Sequence, residues 1–300
     1  KPVMRPAENF SVTHGLGYSQ FAQTVEEIRS ALTVFVTAHD PVEVHRLTLT
    51  NESAETRELD VTSYAEWLLG FAPDEHREFH KLFIETAADV AHSRVTARKC
   101  LWGFPDSLGR HNNTDWPYTA FMAVSEPLKS FDCDKESFIG LYNNDDRPSA
   151  MVEPKLAGRT GRFTDAIGAL QVAVTLGAGE SKTVVFTLGA AEDGREDAYE
   201  LIQRYTSVEK GAQAFEAVGQ FWSRFVDPER VETPDDALNF MTNIWLKYQA
   251  ISGRLWGKSA LYQVSAGIGF RDQLQDSQIF LISAPELARK QLLLHAANQF

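Results

Sequence analysis

The chain has 300 residues, 43% hydrophobic and 23% charged, with a formal net charge of -12. This composition fits a soluble globular protein of about two domains. The acidic excess argues against nucleic acid or an anionic membrane surface as the main partner, because both reward a basic face.

The opening stretch KPVMRPAENF has no apolar core of a secretory leader. No apolar run approaches the roughly 20 residues of a membrane-crossing helix. The expected setting is therefore the cytoplasm. Two cysteines, Cys100 and Cys133, are too few for a disulfide framework and suit a reducing compartment, with one bridge between them left open.

Up to about residue 191 the chain reads as β. GLGYSQF (15–21) carries glycines without phosphate-loop spacing and reads as a turn between strands. LTVFVTAHDPVEVHRLTLTNES holds two β-branched runs broken at His39, Asp40 and Pro41, and ELDVTSYAEWLLG gives another strand. His76 and His80 stand four apart, but an isolated pair without a third ligand makes no metal site, and none is expected. GRHNNTDWPY (109–118) is polar and turn-rich. It suits either a sugar-binding loop with Trp116 or Tyr118 as a stacking platform, or an ordinary long loop. In ALQVAVTL, Leu170, Val172, Val174 and Leu176 share one face, with Ala169, Gln171, Ala173 and Thr175 on the other. KTVVFTLG follows the turn GAGES and is expected to complete a hairpin with it. Recurrent turn signals point to a large antiparallel sandwich.

The composition changes near Glu192. Tyr199, Ile202, Phe215, Val218, Phe221 and Trp222 form an apolar stripe at helical spacing. Thr233 reads as an N-cap, Pro234 as the first helical residue, and Asp235 and Asp236 as dipole partners. Leu238, Met241, Ile244, Trp245 and Tyr248 continue an apolar face. Ser283 and Glu286 have capping-box spacing. ELARKQLLLHAANQF is helical in spacing without a stop signal, so the chain reads as a fragment of a longer protein.

Between these helices lies RLWGKSALYQVSAGIGFRDQLQDSQIF (254–280). A small-residue loop, Ser265 to Gly269, leads into a helix expected to start near Arg271. At about 100° per residue, Arg271, Asp272, Gln275, Asp276, Gln278 and Ile279 share a broad face. Carboxylates and an arginine there suit a site that grips a polyhydroxylated ligand. They equally suit a capping cluster, since acids are favoured at helix starts.

GIGFRDQLQD (267–276), preceded by RLWGKSALYQ (254–263), resembles the inverting β-glucoside phosphorylases. That family includes the cellobiose, cellobionic acid and chitobiose phosphorylases and the phosphorylase part of cyclic β-1,2-glucan synthases. VTHGLGYSQF, VTSYAEWLLG and DWPYTAF support the resemblance in the family's order. It implies a β plus α fold: an N-terminal antiparallel β-super-sandwich (1–193), a helical linker (194–231) and the first part of an (α/α)6 catalytic barrel (232–300). It implies reversible, inverting phosphorolysis of a β-linked glucose disaccharide or oligosaccharide to α-glucose 1-phosphate, with cellobionic acid or cellobiose as the expected substrate. It assigns Arg271, Asp272, Asp276 and Gln275, with Tyr262 and Gln263, to the glucosyl unit, and Arg254 and Lys258 to phosphate. Arg110, His111 and Asn112 are candidates for acceptor contact. The general acid is expected beyond residue 300. No cofactor is implied, since inorganic phosphate is a co-substrate, and a homodimer is expected. A glycoside hydrolase or isomerase on the same architecture, or a non-catalytic carbohydrate-binding domain, are the rival readings.

Overall fold

The computed structural model describes residues 7–70, 81–100, 116–195, 197–257 and 270–298. The chain divides into two compact units, Lys1–Glu216 and Ala217–Phe300.

The first unit is a sandwich of two antiparallel sheets. Its strands in chain order are β1 (Glu8–Gly15), β2 (Tyr18–Val25), β3 (Ile28–Val36), β4 (Val42–Asn51), β5 (Arg57–Glu66), β6 (Ile84–Asp89), β7 (Arg94–Lys99), β8 (Tyr118–Val124), β9 (Ser130–Asp134), β10 (Gly161–Arg162), β11 (Ala166–Leu176) and β12 (Ser181–Glu192). Among the described residues, one sheet runs β1-β2-β3-β4-β12-β8-β7-β6-β10 and the other β5-β11-β9. GLGYSQF forms the tight turn between β1 and β2, with Gly17 at φ 76°. The break at His39 to Pro41 becomes the β3–β4 hairpin.

The alternation in β11 places its side chains as the sequence indicates. Leu170, Val172, Val174 and Leu176 are buried between the sheets, beside Val184 and Phe186 of β12. Ala173 and Thr175 on the opposite face are exposed. Farther back along β11 that face is covered too. Ile167 and Ala169 pack with Phe138 and Ile139 of α1 (Lys135–Ile139) in a small second core. Gly168 has no side chain because a Cβ there would lie 2.5 Å from the Met122 sulfur.

The expected β11–β12 hairpin does not form. β11 pairs with β5 and β9, whereas β12 pairs with β4 and β8 in the other sheet. The turn between them crosses the sandwich, and Asn51 at the end of β4 holds it. Its buried amide donates to the carbonyls of Leu176 (3.1 Å) and Gly177 (3.0 Å) and to that of Glu55 (2.7 Å). Its own backbone exchanges hydrogen bonds with Gly179 and Glu180. Strand alternation reports which face is buried, not which strand lies alongside.

Two helices follow, α2 (Ala198–Tyr205) and α3 (Val208–Val226), and the boundary between the units falls within α3. Asp197 caps α2 by accepting from the Tyr199 N–H. Asp40, in the β3–β4 turn, accepts from Tyr205 and Arg204 at the end of α2. Burial draws the Asp40 carboxyl upward, but those two donors outweigh it and hold the group below the usual carboxylate range. In α3, Phe215 sits against the rings of Tyr18 (5.1 Å) and Phe35 (5.3 Å).

The second unit is helical. α4 (Asp236–Phe240), a π-helical stretch (Met241–Trp245), α5 (Leu246–Gln249) and a second π-helical stretch (Ala250–Trp256) follow without interruption. α6 (Phe270–Ser277), α7 (Phe280–Ser283) and α8 (Pro285–Ala297) complete it. The expected cap at Thr233 moves two residues on. Asp235 accepts from the N–H groups of Ala237 and Leu238, and Pro234 lies outside the helix. Thr233 instead hydrogen-bonds Asn239. Asp is as good a cap as Thr, and its carboxylate faces the dipole more favourably. The Ser283–Glu286 capping box is also absent. α8 starts after Ala284 without a side-chain cap, and Ser283 ends α7 with its hydroxyl buried. Pro285 at the first position already removes one of the orphan donors that a cap would serve.

Of the apolar stripe expected in α4 and α5, Ile244 and Tyr248 are half-buried, with Tyr248 against Trp222 at 4.8 Å, while Leu238, Met241 and Trp245 are open to solvent in this chain. The buried side carries Asn243 and Lys247. Asn243 exchanges two hydrogen bonds with the Val231 backbone. The Lys247 ammonium donates to the carbonyls of Val226, Pro228 and Glu229. These side chains hold the segment that leaves α3, whose carbonyls have no helical partners. Burial lowers the Lys247 ammonium from its ordinary value.

Candidate functional site

The residues of FRDQLQDS form α6, and its burial pattern separates two faces. Arg271, Asp272 and Gln275 are exposed and Asp276 is half-buried, while Gln273 and Ser277 are buried. The buried face rests on α8. Gln291 donates to Gln273 Oε1 (3.3 Å), and the His295 ring stacks edge-on to Phe270 at 5.4 Å. His295 is itself buried, with its Nδ1 at 2.9 Å from the Gln291 carbonyl oxygen. This polar network lies directly behind the exposed polar face and restrains the rotation of α6 about its axis.

Asp272 and Asp276 are one turn apart, a spacing at which like charges repel. Arg254, carried by the second π-helical stretch, offsets that repulsion. Its Nε donates to Asp276 Oδ2 in a close ion pair, and its Nη2 lies 4.0 Å from Asp272 Oδ2. Its side chain is 24% exposed, against 61% for Asp272. One guanidinium thus bridges both acids and leaves Asp272 largely open to a ligand. π-helical insertions are rare and recur at functional sites, because the wider turn re-aims a side chain. Arg271 is exposed at the start of α6.

The structure therefore brings together Arg254, Asp272 and Asp276, with Arg271 and Gln275 on the same helix. Lys258, Tyr262 and Gln263 lie outside the described residues, as do Ser265 to Gly269, Arg110, His111, Asn112, His76 and His80. Trp116 packs against the sandwich core and against Tyr118 at 4.9 Å, which matches the ordinary-loop reading of that residue better than a stacking platform. Both cysteines are free thiols, so no bridge joins them, and burial pushes the Cys133 thiol up to about 12. No cluster of metal ligands occurs among the described residues. Among them, no helix is long and apolar enough to cross a membrane.

Chemically, the arrangement can grip hydroxyls. Carboxylates accept from sugar hydroxyls, guanidinium groups donate to sugar or phosphate oxygens, and charge-assisted bonds of this kind are the stronger ones. Sequence reasoning placed the acids on one face with Arg271 and assigned Arg254 to phosphate, without pairing Arg254 with the acids. The Arg254 clasp and the Gln273–Gln291–His295 support arise from residues brought together by the tertiary fold, and no local spacing signals them.

An antiparallel sandwich followed by helices, with paired acids on a polar helix face, is the arrangement the structure defines. The chain belongs to the glycosyl hydrolase 94 family: residues 1–208 match its supersandwich domain and residues 221–300 its catalytic domain. It is 36% identical to the cyclic beta-(1,2)-glucan synthase NdvB of Rhizobium meliloti (strain 1021), over 99% of this chain and 10% of that protein. It is 31% identical to solabiose phosphorylase of Paenibacillus borealis and 23% identical to cellobionic acid phosphorylase of Neurospora crassa, covering 36% of each. The chain thus spans only a minor part of these relatives. A solved structure, "Putative kojibiose phosphorylase from human microbiome", shares the fold with a TM-score of 0.59 at 11% identity, over 97% of this chain and 35% of that one.

Proposed function

We propose that this chain is part of a glycoside phosphorylase that cleaves a β-linked gluco-disaccharide or oligosaccharide with inorganic phosphate and inversion. The observation that carries the reading is the clasp of Arg254 on Asp276 and Asp272, built on the motif that matches the family's catalytic domain. On this reading Asp272, Asp276, Gln275 and Arg271, with Tyr262 and Gln263, hold the glucosyl unit. Arg254 and Lys258 serve phosphate. Phosphate attacks the anomeric carbon, the glycosidic C–O bond breaks, and the leaving oxygen takes a proton from a general acid outside these residues. An inverting hydrolase needs a second carboxylate to activate water. Phosphate is already an anionic nucleophile and needs none.

The order of identities, 36% for the β-1,2-glucan synthase against 23% for the cellobionic acid enzyme, favours a β-1,2-linked glucan over cellobionic acid or cellobiose. A homodimer, which rests on the family resemblance alone, and the cytoplasmic setting expected from the sequence complete the reading. The test uses the full-length protein with β-1,2- and β-1,4-linked gluco-oligosaccharides. Glucose 1-phosphate is expected only when phosphate is present, and fastest from the β-1,2 series. Cleavage at an equal rate without phosphate would establish a hydrolase instead.

A further inference from the structure

The sandwich carries an open polar cleft, of about 770 Å³, far along the chain from the α6 motif. Its floor is the outer face of β7. Arg94, Thr96 and Arg98 alternate on that face, while Val95, Ala97 and Lys99 point inward and are buried. Thr119 of β8 continues the floor. The wall comes from the segment between β12 and α2, with Asp193, Arg195 and Asp197, and from Glu200 in α2.

The lining is set in place by its own contacts. Asp193 accepts from Arg98 (2.5 Å) and from the Thr119 hydroxyl (2.9 Å), which ties the wall to the floor. Arg94 is held by Asp89 at 3.0 Å and lies over the Tyr199 ring at 4.6 Å. Arg195 pairs with Glu192 at 2.8 Å. Each guanidinium spends one or two N–H groups in these contacts and keeps others for a ligand. A lining ordered before binding loses little entropy when a ligand arrives.

The charge balance selects the ligand chemistry. Arg94, Arg98 and Arg195 face Asp193, Asp197 and Glu200, and Asp89 and Glu192 pair with two of the arginines, so the cleft has no positive excess to attract a polyanion. Ala198 is the one apolar side chain in its lining, so a hydrophobic ligand has little to pack against. What remains is a ligand that donates and accepts densely without net charge, namely a polyhydroxylated one. The volume falls within the usual range for small-ligand pockets.

We propose that this cleft between β7 and the start of α2 is a second saccharide-binding site, for a neutral oligosaccharide, separate from the glucosyl site on α6. It would keep a long glucan on the enzyme between turnovers without taking part in the bond cleavage.

The test is a calorimetric titration of the full-length protein with β-1,2-linked glucotetraose, without phosphate. Saturable binding at millimolar sugar or tighter is expected. Arg98→Gln combined with Arg195→Gln should weaken it about tenfold, as loss of charged hydrogen bonds does. Thr96→Val, which keeps side-chain volume, should weaken it in the same direction, and decides the matter if the double variant fails to fold by circular dichroism. Asp272→Asn should remove at most the contribution of the α6 site and leave the saturable phase that the cleft variants weaken. Three results overturn the proposal. These are no saturable binding, binding lost in Asp272→Asn but kept in the cleft variants, and binding of inorganic phosphate or sulfated glucotetraose in place of the neutral sugar. Because the readout contains no phosphate and no turnover, its failure is distinct from failure of the phosphorylase reading.

Discussion

Arg254 joins two carboxylates that a single helix turn would otherwise set against each other. Its planar fork can meet Asp276 through Nε while Nη2 faces Asp272. A lysine supplies one compact charge and cannot hold both directions. Arg254→Lys is therefore expected to leave stability within about 1 kcal/mol, since Asp276 is 37% exposed and the pair is partly screened. Turnover should fall about a hundredfold, the scale of a misplaced binding group. Steady-state kinetics of the full-length variant, beside its melting temperature, separate the two effects. Equal losses of stability and activity would make Arg254 merely structural. The sequence showed Asp272 and Asp276 on one face because helix period alone decides that. It could not show the partnership with Arg254, which stands 22 residues before Asp276 and reaches it only through the helix packing of the second unit.

At the level of elements, the corner at Asn51 illustrates how a strand pattern can be right and its pairing wrong. β11 has the expected alternation over Val172 to Leu176, and the short glycine turn before β12 has the look of a hairpin. A two-sheet core, however, can be filled by sending successive strands to opposite sheets, and the local pattern is the same either way. What distinguishes the outcomes is a buried amide from β4 that satisfies the carbonyls of Leu176 and Gly177. Asn51→Ala removes the amide donor from the Leu176 carbonyl and the Oδ1 acceptor from the Ser53 N–H, while Gly177 keeps its hydrogen bond from the Glu180 N–H, at about 1–3 kcal/mol for each lost partner. The expected loss is about 3 kcal/mol, visible as a lower urea midpoint with little change in slope. A loss under about 0.5 kcal/mol, the scale of an ordinary surface substitution, would mean that water replaces the amide. The caps follow the same logic. Thr233 and Ser283 are competent residues at plausible spacings, but Asp235 and Pro285 are nearer to the true helix starts. In α4 and α5 the polar residues Asn243 and Lys247 are buried because unpaired backbone had to be served there. A hydrophobicity pattern contains no record of that demand.

For the whole molecule, charge acts in two opposing ways as pH falls. The net charge of -12 produces a self-repulsion that weakens toward the pI near 5.2. Specific carboxylates in the sandwich act oppositely. Hydrogen bonds from Lys135, and more weakly from Lys81 and Tyr64, outweigh burial and hold Glu66 below its ordinary value. His45 does the same for Glu43, and Tyr205 and Arg204 overcome burial at Asp40. A carboxyl depressed in the folded state contributes stability that is fully present above its unfolded value, near about 4. That contribution is lost as pH falls through and below this value. At about 0.15 M salt the diffuse repulsion is screened beyond roughly 8 Å, whereas hydrogen-bonded pairs in contact are screened far less. The melting temperature is therefore expected to be level or slightly rising from pH 7 to about 5, and then to drop steeply between about pH 5 and 3. Asp40→Asn keeps an acceptor for Tyr205 but no longer titrates, so it should start lower at pH 7 and lose less on acidification. A melting temperature that climbs steadily down to pH 3 in the parent chain would show that net repulsion, rather than these pairs, governs the sandwich.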